Sequence, residues 1–182
     1  TPHLKKVLEE TGLFTVEVAT TPAKGGDMGG FKPEFKKYRV IVSNYNGEPW
    51  SKETEQAFVQ YVRGGGGFVS VHAADNAFPD WREYNEMIGV GGWCGRTEKD
   101  GPYWYFKEGK LVSDPAPGPT GSHGQRTPFQ IAVKTDHPIT NGLPKVWMHQ
   151  GDELYARLRG PGKNMTVLAT SFKTSLFSSA TN

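Results

Sequence analysis

Three histidines stand in polar stretches of the sequence, and imidazole is the side chain best suited to proton transfer near neutral pH. His72 directly follows the apolar run Phe68–Val71, His123 lies in a Gly-Ser-His-Gly loop, and His149 precedes an acidic pair that includes Glu153. An imidazole paired with another imidazole or with the Glu153 carboxylate could move a proton to or from a substrate. These four residues are therefore the candidate catalytic residues.

The same histidines could instead bind a divalent metal ion such as zinc, with Glu153 as a fourth ligand or as a base. Their spacing matches no short metal-binding motif, so no metal ligand and no cofactor is assigned. Cys94 has no base near it in the sequence and is interpreted as a small buried hydrophobic residue. His137 precedes Pro138 and is interpreted as a residue that packs or caps a turn.

Amides, carboxylates and aromatic rings accompany these histidines. The candidate substrate-binding residues are Asn44, Tyr45, Asn46, Asp75, Asn76, Trp81 and Trp93. Amides and carboxylates form paired hydrogen bonds with sugar hydroxyls, and an aromatic ring offers a face on which a sugar can stack. Asn and Asp are also common turn residues, so a purely structural role is the alternative for each of them.

A βαβ unit has to position the first of these residues. Arg39–Ser43 contains Val-Ile-Val, which is typical of a buried parallel strand. Ser51–Arg63 has apolar residues at helical spacing behind an N-cap serine, and Phe68–Val71 supplies the second strand. Since parallel strands end at the same edge of a sheet, and ligands bind there in open α/β folds, we expect Asn44 and His72 to meet at that edge.

The rest of the chain also alternates between helix and strand patterns. Helices are predicted from the amino end to Gly12 and over Trp81–Ile88, and strands at Phe14–Ala19, Tyr103–Lys107, Lys110–Val112, Phe129–Val133, Val146–His149, Glu153–Arg157 and Met165–Ala169. The predicted class is α/β, an open sheet with long loops leaving one edge.

Composition excludes several classes of function. The net charge of +2 comes without a basic stripe, which argues against a nucleic-acid partner, and the apolar runs are too short to span a membrane. The single cysteine excludes an internal disulfide. The amino end lacks the apolar core of a signal peptide, which slightly favours the cytoplasm, although a signal could precede Thr1. Homo-oligomerisation is left open.

Several motifs, in the same order and at similar separations, resemble the trehalose-utilisation (ThuA-like) domain family. They are Arg63–Phe78, Tyr84–Gly89, Gly92-Trp93, Asp136–Thr140 with Gly142-Leu-Pro, and Asp152–Tyr155. The resemblance implies a flavodoxin-like, mostly parallel sheet with helices on both faces, of the class I glutamine-amidotransferase type, and a link to disaccharide catabolism. The family's recurring polar positions fall on Asn44, His72, Asp75, His123, His149 and Glu153.

Relative to that family, the chain is interpreted as a single domain over residues 1–182 that is truncated at both ends. Thr1 starts inside the first helix of the family pattern, and Ser171–Asn182 departs from it. A central strand and part of the pocket wall would then be missing.

Two functions from different classes follow. One is a sugar-modifying enzyme that applies histidine acid–base chemistry to trehalose, another disaccharide or a keto-sugar. The other is a non-catalytic carbohydrate-binding or regulatory domain, because the same polar and aromatic residues serve binding equally well. A cysteine-dependent glutaminase is rejected, since His72 stands where such an enzyme needs its nucleophile. The expected partner is a small sugar.

Overall fold

Residues 2–92 and 95–172 are described by a computed structural model. The chain divides into two units, Thr1–Tyr84 and Asn85–Asn182. The helices and strands are, in chain order, α1 (Pro2–Glu10), β1 (Val40–Ser43), α2 (Lys52–Arg63), β2 (Gly67–Ser70), α3 (Arg82–Ile88), β3 (Tyr103–Lys107), β4 (Lys110–Asp114), β5 (Thr127–Val133), β6 (Val146–Asp152) and β7 (Ala169–Phe172). The predicted α/β class is confirmed, and the single domain expected over the whole chain stays a prediction.

The βαβ unit of the first half is confirmed. Strands β1 and β2 pair in parallel with Ser43 opposite Ser70, and the Val71 N–H donates to the Ser43 carbonyl oxygen at 2.8 Å. Helix α2 begins behind Ser51, whose hydroxyl oxygen accepts the Thr54 N–H at 3.2 Å. That bond satisfies one of the N–H groups that every helix start leaves unpaired.

An aromatic core holds the first unit together. The Trp50 ring lies 5.7 Å from the Phe58 ring, 5.2 Å from Phe78 and 5.9 Å from Trp81, measured between centroids. The Tyr84 hydroxyl donates to the Ala74 carbonyl oxygen at 2.9 Å. Because large rings bury much apolar area and pack edge to face, this cluster fixes the segment that follows β2 against α2.

The second unit contains antiparallel pairs. Strands β3 and β4 form the predicted hairpin, whose turn places Glu108 at φ 51° and Gly109 at φ 75°, as a two-residue type I′ turn requires. Strand β5 pairs with β6 on one side and β7 on the other. The β5–β6 register shifts between Thr127 and Phe129, at Pro128, which has no N–H to offer the ladder.

The mostly parallel sheet is not confirmed, since one strand pairing among the described residues is parallel and three are antiparallel. The strand predicted at Phe14–Ala19 is wrong: the segment lies outside any strand, with Phe14 45% and Val18 47% exposed. The alternation of apolar and polar residues there predicts a strand with one apolar face, but it does not supply a partner strand.

Two other strand predictions need correction. Glu153–Arg157 forms only an isolated bridge, from Tyr155 to His123, and a positive φ of 58° at Arg157 ends the extended backbone there. The strand predicted at Met165–Ala169 lies later in the chain, where β7 begins at Ala169. No helix of the described ranges is both long and apolar enough to cross a membrane.

Candidate functional site

The carboxyl ends of β1 and β2 bring two polar segments together in the first unit. Because Ser43 pairs with Ser70, Asn44 and His72 follow neighbouring strands at the same edge, and both are exposed. His72 has φ 49°, an unfavourable backbone conformation for a residue with a Cβ, and it opens a 3₁₀ turn. The Ser70 hydroxyl donates to Asp75 Oδ1 at 2.6 Å, which holds that carboxylate against the strand end.

Not every predicted binding residue offers its side chain to a ligand. Trp81 is 5% exposed and lies in the aromatic core, so its ring is structural, and Asn76 is also buried. The Tyr45 ring stacks on Phe78 with centroids 5.6 Å apart, and burial raises the pKa of its hydroxyl. Asn46 is exposed, like Asn44 and His72. Trp93 and Cys94 lie outside the described residues.

A second polar group forms in the second unit around Glu153. The isolated bridge between His123 and Tyr155 brings the His123 loop beside the residues that follow β6. Strand β5 begins with Thr127 opposite Asp152, so Arg126 comes next to Glu153. We call His123, Arg126, Glu153 and Tyr155 the Glu153 cluster.

Three side chains converge on the Glu153 carboxylate. The Arg126 guanidinium donates to Oε1, the Tyr155 hydroxyl donates to Oε2 at 3.0 Å, and His123 Nε2 lies 3.5 Å from Oε1. The Glu153 side chain is 13% exposed, whereas that of Arg126 is 67% exposed. The Glu153 carboxylate is therefore mostly buried, while the Arg126 side of the cluster is open to solvent. The structure thus brings together two of the predicted catalytic residues, His123 and Glu153.

Hydrogen bonding defines where protons lie in this cluster. His123 Nδ1 is 2.8 Å from the Gly124 carbonyl oxygen, and since a carbonyl can only accept, Nδ1 carries a proton. A neutral His123 would then point the lone pair of Nε2 at the carboxylate. An attractive contact between Nε2 and Glu153 requires one more proton, on either partner. An imidazole and a carboxylate in this arrangement are the groups that general acid–base catalysis uses.

The neighbours of Glu153 respond to its charge. The hydrogen bond from Arg126 and the nearby negative charge raise the pKa of Arg126 above its usual value. Burial, followed by the hydrogen bond to Glu153 and its charge, raises the pKa of the Tyr155 hydroxyl. Both groups therefore keep their protons near neutral pH and stabilise Glu153 as an anion.

The remaining histidines have other surroundings. His149 lies on β6, where its ring stacks on Phe129 with centroids 4.8 Å apart and its Nδ1 lies 2.9 Å from the Gln150 carbonyl oxygen. His137 caps a 3₁₀ turn by accepting the Ile139 N–H at Nδ1, at 3.2 Å, as predicted. In residues 2–92 and 95–172, no group of three or more His, Cys, Asp or Glu side chains is arranged to hold a metal ion.

Sequence reasoning missed two members of the Glu153 cluster and all of a neighbouring arginine group. Tyr155 belongs to the Asp-Glu-Leu-Tyr motif, so the sequence could have indicated it as a site residue. Arg126 lies in a polar loop outside any such motif. The second group, which we call the Tyr103 cluster, consists of Tyr103, Arg157 and Arg159. Arg159 lies 3.5 Å from the Tyr103 ring centroid, and Arg157 Nη2 donates to the Tyr103 hydroxyl at 3.1 Å.

The Tyr103 cluster makes a testable prediction. Burial disfavours ionisation of the Tyr103 phenol, but hydrogen bonds from both arginines and their charges lower its pKa below the usual tyrosine value. Burial and Asp114 raise the pKa of Tyr105. Because an acid with a lowered pKa loses its proton at lower pH, Tyr103 should ionise before Tyr105 in an alkaline titration followed by tyrosinate absorbance. Tyr103→Phe should remove the earliest part of the rise, and loss of that part in Tyr105→Phe instead would contradict the assignment.

The fold and the two polar groups define a mixed α/β protein with a histidine–carboxylate site in loops beside its strands. The model of the trehalose-utilisation (ThuA) family matches residues 1–179, and the chain belongs to this family. A crystal structure described as a ThuA-like protein from Parabacteroides merdae is 47% identical, with a TM-score of 0.89 over 92% of this chain. The chain spans 61% of the length of that protein. No curated protein matches the chain.

Proposed function

We propose that this protein modifies a disaccharide or keto-sugar by acid–base chemistry at the Glu153 cluster. The observation that carries the proposal is the contact of 3.5 Å between His123 Nε2 and Glu153 Oε1, made beside solvent and reinforced by Arg126 and Tyr155. Membership of a trehalose-utilisation family supports a sugar as the substrate.

Each residue of the cluster has a distinct task in this proposal. The Gly124 carbonyl holds Nδ1 of His123 in its protonated form, so Nε2 is the atom that exchanges a proton with the substrate. A sugar hydroxyl, or a carbon beside a carbonyl, gives its proton to the lone pair of Nε2. The proton then lies between Nε2 and Glu153 Oε1, where the negative carboxylate stabilises the imidazolium. Tyr155 and Arg126 keep Glu153 in place, which preserves the geometry that proton transfer needs.

Taken by itself, the polar edge of the first unit is a second candidate for sugar binding. Asn44, Asn46 and His72 are exposed there, and Asp75 lies beside them at the strand ends. Amide and carboxylate groups suit the paired hydroxyls of a sugar. A flavodoxin-like arrangement of the glutamine-amidotransferase type belongs to this proposal, and the parallel β1–β2 pair with polar residues after both strands supports it.

Product formation separates an enzyme from a carbohydrate-binding domain. The chain should convert at least one member of a panel of glucose disaccharides and their keto derivatives, with products resolved by chromatography. Glu153→Gln should lower the rate by about 10²-fold, because His123 loses the charge that orients it and stabilises its protonated form. Glu108→Gln, in the exposed β3–β4 turn, should leave the rate unchanged.

The same panel tests the alternative by calorimetry. Heat of sugar binding without product after prolonged incubation would overturn the catalytic proposal and favour a binding or regulatory domain. A rate in Glu153→Gln equal to that of the unchanged chain would also contradict it, because the carboxylate would then have no part in the reaction.

A further inference from the structure

The Tyr103 cluster carries two positive charges that no described carboxylate pairs with. Arg159 is 0% exposed, and its guanidinium donates to the carbonyl oxygens of Gly101, at 2.6 Å, and Ala116. Its Nε has no hydrogen-bond partner among the residues the structure describes. A buried charge without an ion-paired partner is costly, so a guanidinium at this depth favours additional negative charge nearby.

Arg157 presents the second charge at the surface. Its side chain is exposed, and its described partner is the neutral hydroxyl of Tyr103. Its backbone has φ 58°, a conformation that costs free energy in a residue with a Cβ. The Glu98 carboxylate accepts the Gly118 N–H at 3.0 Å, and this bond, with a smaller contribution from the charge of Arg159, lowers the pKa of Glu98. No ion pair joins Glu98 to either arginine in the described part of the chain.

Three other basic side chains of the second unit have carboxylate partners. Arg126 pairs with Glu153, Lys145 with Asp136, and Lys163 with Glu86. Arg157 differs from these three because its guanidinium contacts Tyr103, whose ring also lies against the buried guanidinium of Arg159.

The backbone connects Arg157 to the Glu153 cluster. The Gly121 N–H donates to the Arg157 carbonyl oxygen at 3.1 Å. The segments run antiparallel, so His123, two residues after Gly121, pairs with Tyr155, two residues before Arg157. Gly121 and His123 are two residues apart, which is at most about 7 Å of chain and comparable to the width of one sugar ring and its substituents. A single small molecule could therefore reach from Arg157 to His123.

We propose that Arg157 binds an anionic group, a carboxylate or a phosphate, carried by the sugar on which the Glu153 cluster acts. This inference rests on the proposed function and adds the substrate class: an acidic sugar. Two N–H groups on one edge of a guanidinium match the two oxygens of such an anion, and the buried charge of Arg159 strengthens the local positive potential. Tyr103, stacked against Arg159, acts as a positioning residue because its hydroxyl accepts from Arg157.

Calorimetry on the full chain tests the anion site directly. The probes are glucose, gluconate, glucuronate and glucose 6-phosphate, with acetate and inorganic phosphate as anions without a sugar. At least one acidic sugar should bind at least 10-fold more tightly than glucose, and the carboxylate and phosphate probes show which anion is preferred. Equal affinity for glucose and all acidic sugars, or no binding of any probe, would overturn the proposal.

Matched variants assign the effect to Arg157. Arg157→Gln should lose at least 10-fold in affinity for the acidic sugar, Arg157→Lys should retain part of it, and Lys163→Gln should bind as the unchanged chain does. Unchanged binding by Arg157→Gln would reject the site. His123→Ala should still bind the acidic sugar, so if no product ever forms, the proposed function fails while the anion site is judged on binding alone.

Discussion

Replacement of His123 by alanine should lower the turnover of the sugar substrate by about 10²- to 10⁴-fold, the usual contribution of a general acid–base residue. Alanine removes the nitrogen that exchanges a proton, while the Arg126 and Tyr155 contacts of Glu153 remain possible. Since substrate contacts elsewhere are unaffected, the effect should fall mainly on kcat. Initial rates under saturating sugar, measured on the full chain, check this result.

Two controls separate chemistry from folding. His3→Ala removes an exposed imidazole from α1 and should leave turnover unchanged. His123→Gly should regain part of its activity when free imidazole is added, because a cavity beside solvent can admit the missing base. A merely structural histidine would give no such rescue. Normal turnover in His123→Ala would remove the basis of the proposed mechanism.

Replacement of Arg159 by lysine should destabilise the protein by about 3 kcal/mol and lower its melting temperature by roughly 6–12 °C. Lysine keeps the charge, but one ammonium group cannot reach both the Gly101 and Ala116 carbonyls and also stack flat on the Tyr103 ring. A buried carbonyl left without a donor costs about 1–3 kcal/mol, and loss of the stacked guanidinium adds about 2 kcal/mol or less. Calorimetric or circular-dichroism melting measures the loss.

Arg157→Lys is the matched control for stability. The Arg157 side chain is exposed, so the same chemical change there should alter the free energy of unfolding by about 0.5 kcal/mol or less. Arg159→Met tests whether the charge of Arg159 or its paired hydrogen bonds determine the free energy of unfolding. This variant should be more stable than Arg159→Lys because it buries no ammonium group. A melting temperature of Arg159→Lys equal to that of the unchanged chain would show that the paired hydrogen bonds and the ring contact specific to the guanidinium add no stability.

Local sequence patterns were sufficient for several elements. The Val-Ile-Val run, the N-cap at Ser51 and the Glu-Gly turn correctly predicted β1, α2 and the β3–β4 hairpin. In each case the determining interactions lie within a few residues of one another, so propensity and spacing suffice. The cap at His137 was predictable for the same reason, since Pro138 restricts the residue before it.

Only the tertiary structure decided which strands pair and which side chains meet. The alternation in Phe14–Ala19 could not reveal that no strand forms there, because a strand exists only when a distant segment supplies its hydrogen bonds. Residue type alone made His123 and Glu153 candidates, but their contact depends on the bridge to Tyr155 and on the start of β5. The burial of Arg159 could not be predicted from the sequence. A charge can be buried only where polar groups surround it, and here the carbonyl groups come from distant parts of the chain.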